Sequence, residues 1–264
     1  MLDSPDGKHN SLARRSGRLK RRAVRLARGG LNLLFPPRCV NCDADLPADE
    51  DGQRLCADCR RLLAPEVWPC CPACGAAGRP IGDCPWCRKP PLKFDSVIPL
   101  GDYHQGLGRI VIRMKRPAGR SLSLAMGEIF SRRRAKRLAN FRADLIVPIP
   151  MFWSRRLHRG ANSAEIIAGC LGRYLGVPVR RRLLRRCRNT LPQASLSPSA
   201  RFRNVRGAFV AKSHRHLQAA RVLLVDDTLT TGATCSEAAR MLKKAGTASV
   251  ACAVIARAQG RQAT

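Results

Sequence analysis

The chain has 264 residues, 45% of them hydrophobic, enough for one α/β core plus a small accessory module and too apolar for wholesale disorder. Its 49 Lys and Arg against 18 Asp and Glu give a formal charge of +31, a field that favours phosphate-bearing partners such as nucleic acid, nucleotides or anionic membrane. No apolar run approaches the roughly 18–20 residues of a membrane span, and the N-terminus shows no secretory apolar region with a small-residue cleavage site, so a cytoplasmic protein is expected.

Residues 1–30 read as a basic tail. Arg14, Arg15, Arg18, Lys20, Arg21, Arg22, Arg25 and Arg28 alternate with Leu12, Leu19, Val24 and Leu26. This is a weak helical pattern, suited either to a solvated terminus or to a membrane or nucleic-acid surface. Gly29-Gly30 breaks it, and Pro36-Pro37 ends the short apolar turn that follows.

Residues 31–91 have little periodicity and much Cys, Pro and Gly, the composition of a metal-stapled module too small for its own apolar core. Nine of the chain's 13 cysteines lie between Cys39 and Cys87. Cys39-x2-Cys42 and Cys56-x2-Cys59 form one quartet, and Cys71-x2-Cys74 and Cys84-x2-Cys87 a second. A CxxC knuckle lets two thiolates converge on one ion, and two knuckles complete a tetrahedral Zn–S4 shell. With all ligands from protein there is no open coordination position, so the two zinc ions are structural. Cys70 is an alternative to Cys71, but only Cys71 gives the two-residue gap to Cys74; an iron–sulfur cluster is the alternative metal centre. Four knuckles in pairs argue against a redox CxxC.

Residues 92–260 alternate strands and helices, the signature of an α/β sheet. Strands are expected at 95–100, 144–150, 221–225 and 249–256. Helices are expected near 106–115, at 122–130, at Ser163–Leu175 with Gly176 as the stop, and at Thr234–Ala245 closed by Gly246. Cys170, Cys235 and Cys252 fall outside any ligand spacing and read as core.

Residues 222–234 run Val-Leu-Leu-Val-Asp-Asp-Thr-Leu-Thr-Thr-Gly-Ala-Thr. An apolar strand delivers two acids, and small hydroxyl residues with Gly turn the chain into a helix. Asp226 and Asp227 suit vicinal ribose hydroxyls, since carboxylates accept such hydrogen bonds well. Thr230, Thr231, Gly232, Ala233 and Thr234 offer backbone N–H groups and hydroxyls at a helix N-terminus, a monophosphate cradle. The spacing differs from both the P-loop and the dinucleotide fingerprint.

This motif resembles the loop of type I phosphoribosyltransferases that binds phosphoribosyl pyrophosphate (PRPP). With LLFPPRCVNC at 33–42, DLIVPIP at 144–150, HRGANSAE at 158–165 and TLPQASLSPSARFRNVRGAF at 190–209, the chain is similar to the ComF family over about residues 31–258. The resemblance implies a type I phosphoribosyltransferase-like α/β domain with a mostly parallel sheet, preceded by a small double zinc ribbon. It implies that Asp226 and Asp227 hold the PRPP ribose, that Thr230–Thr234 hold its 5′-phosphate, and that Mg2+ accompanies the diphosphate. The loop after the first buried strand, with Arg155, Arg156 and Arg159, matches the family's pyrophosphate segment, and Lys115 is a further candidate there. Residues 187–206, with Gln193, Ser197, Arg201 and Asn204, match a mobile flap. Where the family carries a bulky aromatic and Asn-Gln after Arg-Gly, this chain has Ala161, Asn162 and Ser163.

Two functions follow from the resemblance. One is a PRPP-binding protein of natural transformation that handles single-stranded DNA and works beside other DNA-uptake proteins; the other is an active phosphoribosyltransferase of nucleotide salvage or biosynthesis. No residue marks an acceptor nucleophile, and fold alone does not establish turnover.

Overall fold

The computed structural model describes residues 36–47, 53–78, 84, 87, 92–193, 196–212 and 214–258, apart from the side chains of 104–105 and 158–159. The basic tail at 1–30 lies outside the described residues. The chain divides into two compact units, Met1–Cys56 and Ala57–Thr264. This break falls inside the expected ribbon, since the second pair of knuckles groups with the α/β domain.

In the first unit the described residues form a tight knuckle. The Cys39 N–H donates to Ala44 O at 2.8 Å, and the Asp43 N–H to Cys39 O at 2.8 Å. Asp43 takes the left-handed conformation that closes the turn, with φ 64°. The second unit begins with helix α1 (Ala57–Leu63) and a like knuckle in which Gly75 N–H donates to Cys71 O at 2.7 Å and Cys71 N–H to Ala76 O at 2.8 Å.

The α/β part follows as β1 (Ser96–Asp102), α2 (Gly108–Met114), α3 (Arg120–Arg133), α4 (Ala135–Asn140), β2 (Leu145–Pro148), α5 (Trp153–Arg159) and α6 (Ser163–Leu175). It continues with β3 (Leu184–Arg186), α7 (Pro198–Val205), β4 (Phe209–Ala211), β5 (Arg221–Leu229), α8 (Ala233–Lys244) and β6 (Ser249–Arg257). The main sheet has the order β1-β6-β5-β2 with every neighbour parallel. β3 and β4 pair antiparallel as a separate two-stranded sheet.

Parallel strands covered on both faces lose the polar–apolar alternation of a half-exposed strand. Leu145, Ile146 and Val147 of β2, Val222–Val225 of β5 and Val250–Ala256 of β6 are buried without interruption. On one face Leu145, Val147, Leu224, Val250, Cys252 and Val254 meet Phe209, Leu217, Ala238 and Leu242 in a single cluster. Helix α6 packs on β2 and β5 and against α3. Its ends are set locally: Asn162 Oδ1 accepts the Ala164 N–H at 3.1 Å, and Gly176 closes it in the left-handed region. Among the described residues no helix is long and apolar enough to cross a membrane.

The expected strands and helices are present. β5, however, runs on to Leu229 and carries both acids within the strand. The elements not anticipated are α1, α4, α5, the β3–β4 pair, and α7 inside the 187–206 segment. The parallel arrangement collects the segments after β1, β2 and β5 at one edge of the sheet, where ligands of open α/β folds bind.

Candidate functional site

Asp226 and Asp227 lie towards the C-terminal end of β5, with Val254 of the central partner strand beside Asp226. The Asp227 N–H donates to Asp226 Oδ1 at 2.8 Å. Burial pushes the Asp226 carboxyl up to about 7, and the Asp227 charge adds to the rise against the pull of Lys115 and Arg186. The Cys235 thiol lies beneath it, 3.9 Å from Oδ2.

Asp227 is already engaged on both oxygens. Lys115, just beyond α2, places Nζ 2.9 Å from Oδ1. Ser163, the first residue of α6, donates its hydroxyl to Oδ2 at 3.1 Å. Ser163 stands in the segment that departs from the family pattern, and its contact brings that departure onto the acid pair itself.

Gly232 makes the turn after β5 with φ 82°, the left-handed conformation that glycine adopts without strain. A Cβ there would also lie 3.0 Å from Leu92 Cδ2. The helix α8 starts at Ala233, whose N–H donates to Thr231 Oγ1 at 3.4 Å, and Gly232 offers no side-chain cap, the kind of helix N-terminus that can face an anion. The flap reaches this turn, since Gln193 donates Nε2 to Thr234 Oγ1 at 2.9 Å.

The pyrophosphate-side candidates separate. Lys115 is at the acids. Arg155, on α5, donates Nη2 to the Thr190 carbonyl at 2.6 Å and so ties α5 to the flap. Arg156 points elsewhere and grips Glu165 through both Nη atoms at 3.1 and 3.2 Å. Arg159 is the last residue of α5. Arg186, a residue the sequence did not single out, ends β3 and donates to Thr190 Oγ1 at 2.5 Å. It lies over the Phe209 ring at 5.3 Å, and its charge acts on Asp226. In the run of arginines at 180–188 no spacing distinguished it from its neighbours.

The cysteines converge as the spacing requires. The ligand atoms of Cys71, Cys74, Cys84 and Cys87, all in the second unit, lie within 4.8 Å of one another, and within the first unit the Cys42 and Cys56 sulfurs stand 3.6 Å apart. Cys71–Cys87 and Cys74–Cys84 approach to 3.5 Å. A tetrahedral shell with Zn–S of about 2.3 Å places sulfurs about 3.8 Å apart, so the second quartet fits zinc and the Cys42–Cys56 spacing suits the same geometry. Cys70 stays outside the quartet, with its sulfur accepting from Arg137 at 3.1 Å. Burial opposes the Cys39 thiolate, yet the N–H groups of Cys42, Cys56 and Asn41 bring its pKa down to about 6, suiting it to a metal.

Residues 30–89 match the double zinc ribbon domain and residues 159–263 the phosphoribosyl transferase domain. Over 223 residues the chain is 30% identical to "Competence protein F" of Haemophilus influenzae, covering 80% of this chain and 93% of that protein. The chain belongs to the ComF family. It is also 30% identical to "DNA utilization protein YhgH" of Salmonella typhi, over 83% of this chain and 96% of that one. With "Competence protein ComFC" of Bacillus subtilis it shares 25% identity over 84% of this chain and 94% of the other. This ComF-family chain therefore combines an α/β phosphoribosyltransferase domain with a double zinc ribbon.

Proposed function

We propose that this ComF-family protein binds PRPP with Mg2+ at the Asp226–Asp227 turn and acts in DNA uptake by handling single-stranded DNA beside other uptake proteins. One observation carries the ligand assignment: two acids at the end of β5 lead, through a left-handed Gly232, into the N-terminus of α8. The acids suit the ribose hydroxyls and the first turn of α8 suits the 5′-phosphate. Mg2+ would supply neutralising charge to the diphosphate, and Lys115 Nζ stands 2.9 Å from Asp227 Oδ1. Relatives named for competence and DNA utilization support the cellular role.

A basic groove supports the single-stranded DNA reading. A cavity of about 480 Å3 is lined by Lys93, Arg203, Arg206 and Arg240 together with Phe202, and it reaches Ala233 of the phosphate turn. Glu237, the acid in its wall, is taken up by Arg240 at 2.8 and 2.9 Å. Clustered cations with an aromatic face are the elements of single-strand binding.

The flap contact between Gln193 and Thr234 favours a second reading, an active transferase that closes over its ligand. Transfer would displace diphosphate from C1 through an oxocarbenium-like transition state. Calorimetric titration with PRPP and Mg2+, followed by pyrophosphate release across candidate acceptors, separates the two. Binding without acceptor-dependent release supports the binding protein, and rapid release makes it an enzyme.

A further inference from the structure

Arg257 ends β6 and is almost wholly buried, with 4% of its surface exposed. Its Nε donates to the Cys74 carbonyl at 2.7 Å. Its Nη1 donates to Leu229 O at 3.1 Å and also to the carbonyl of Thr230. Cys74 belongs to the second cysteine quartet, and Thr230 opens the phosphate turn. One guanidinium therefore spans the metal knuckle and the ligand turn.

An apolar contact runs alongside. Leu92 packs on the cluster of Cys71, Cys74, Ala76 and Cys84, and its Cδ2 lies 3.0 Å from where a Gly232 Cβ would stand. The knuckle is in turn fixed to the sheet, because the Val97 N–H of β1 donates to Pro72 O at 2.8 Å. Gly75, at φ 74°, sits so close that a Cβ would come 2.9 Å from Val97 Cγ1.

Charge gives the link a direction. A buried guanidinium needs compensating negative charge. A tetrathiolate zinc centre carries a net double negative charge, whereas four thiols carry none. The carbonyls held by Arg257 set the peptide planes at the start of the turn, and those planes aim the N–H groups that follow.

We propose that the second zinc centre is a working part of the phosphate site. Zinc on Cys71, Cys74, Cys84 and Cys87 keeps Arg257 in place, and Arg257, a positioning residue, holds the Thr230–Thr234 turn in its phosphate-binding shape. The inference rests on the reading of that turn as a phosphate cradle.

The test uses the full chain, with zinc content by elemental analysis, ribose 5-phosphate affinity by calorimetry, and amide hydrogen exchange over 229–234. The parent should carry about two zinc ions, one for each quartet. Cys84→Ser should lose one zinc, bind ribose 5-phosphate about tenfold more weakly, within the range of coupling between sites, and exchange faster over the turn. Cys39→Ser should lose zinc from the first quartet with affinity and turn exchange unchanged. Arg257→Lys, which keeps the charge but not the fork, should retain both zinc ions yet lose about fivefold in affinity. This milder variant decides the matter if Cys84→Ser does not fold. Parental affinity and exchange in Cys84→Ser, or in Arg257→Lys, would overturn the proposal. If the parent itself binds no ribose 5-phosphate, the cradle reading falls and exchange alone decides the coupling: faster turn exchange in the variants upholds it, and unchanged exchange refutes it.

Discussion

Lys115 Nζ and Asp227 Oδ1 stand 2.9 Å apart, so the second acid of the pair carries a cation before any ligand arrives. The Lys115 side chain is about one-third exposed, at 33%, and can turn from the acid towards an incoming diphosphate. Lys115→Met should therefore weaken PRPP by about tenfold, the scale of one charge-assisted contact. It should change ribose 5-phosphate much less, since that ligand has no diphosphate. Calorimetry with both ligands checks this; equal losses would restrict Lys115 to its pairing with Asp227.

Asp226 should make stability fall with rising pH. Its folded pKa of about 7 lies above the ordinary 3.8, so the folded state binds a proton more tightly than the unfolded chain. The resulting penalty is absent below the unfolded value, grows through the window between 3.8 and about 7, and is complete above it. Asp226→Asn keeps an oxygen for the Asp227 N–H and removes the ionisation. The variant should be more stable than the parent at pH 8 by roughly 2 kcal/mol or more, each pKa unit being worth about 1.4 kcal/mol. The gap should shrink on moving to pH 5. Denaturant unfolding at the two pH values measures it, and a pH-independent difference would remove Asp226 as the cause.

Much of this was legible in the sequence because the signals were local. The CxxC spacings gave both quartets, and the choice of Cys71 over Cys70 rested on a two-residue gap that the sulfur positions reproduce. The Val222–Val225 run and the Asp-Asp-Thr-Leu-Thr-Thr-Gly motif placed the strand, the acids and the helix start. What stayed hidden depends on tertiary approach. Ser163 meets Asp227 only because α6 begins beside β5, and Arg257 looks like any other arginine until β6 buries it between two segments distant in sequence. Arg155 and Arg156 are neighbours of identical chemistry, and only the folded chain turns one to the flap and the other to Glu165.

Nucleic-acid binding should be governed by phosphate contacts in the groove near Phe202. Single-stranded DNA affinity should fall steeply between about 50 and 200 mM salt as counterions are released. Arg203→Glu together with Arg206→Glu should lower affinity at fixed salt and reduce the slope of log affinity against log salt by about 0.7 per lost contact. Fluorescence anisotropy across a salt series reads both quantities. A flat salt dependence in the parent, or an unchanged slope in the variant, would exclude this groove.

Calorimetry of Asp226→Asn combined with Asp227→Asn tests whether the two acids towards the end of β5 hold the ribose of PRPP. Each substitution removes a charged acceptor for a ribose hydroxyl, so PRPP binding in the presence of Mg2+ should weaken by a total of about 2–4 kcal/mol. Zinc content should remain that of the parent, because neither acid touches a cysteine quartet residue. A double variant that binds PRPP as tightly as the parent would contradict the assignment and place the ligand elsewhere.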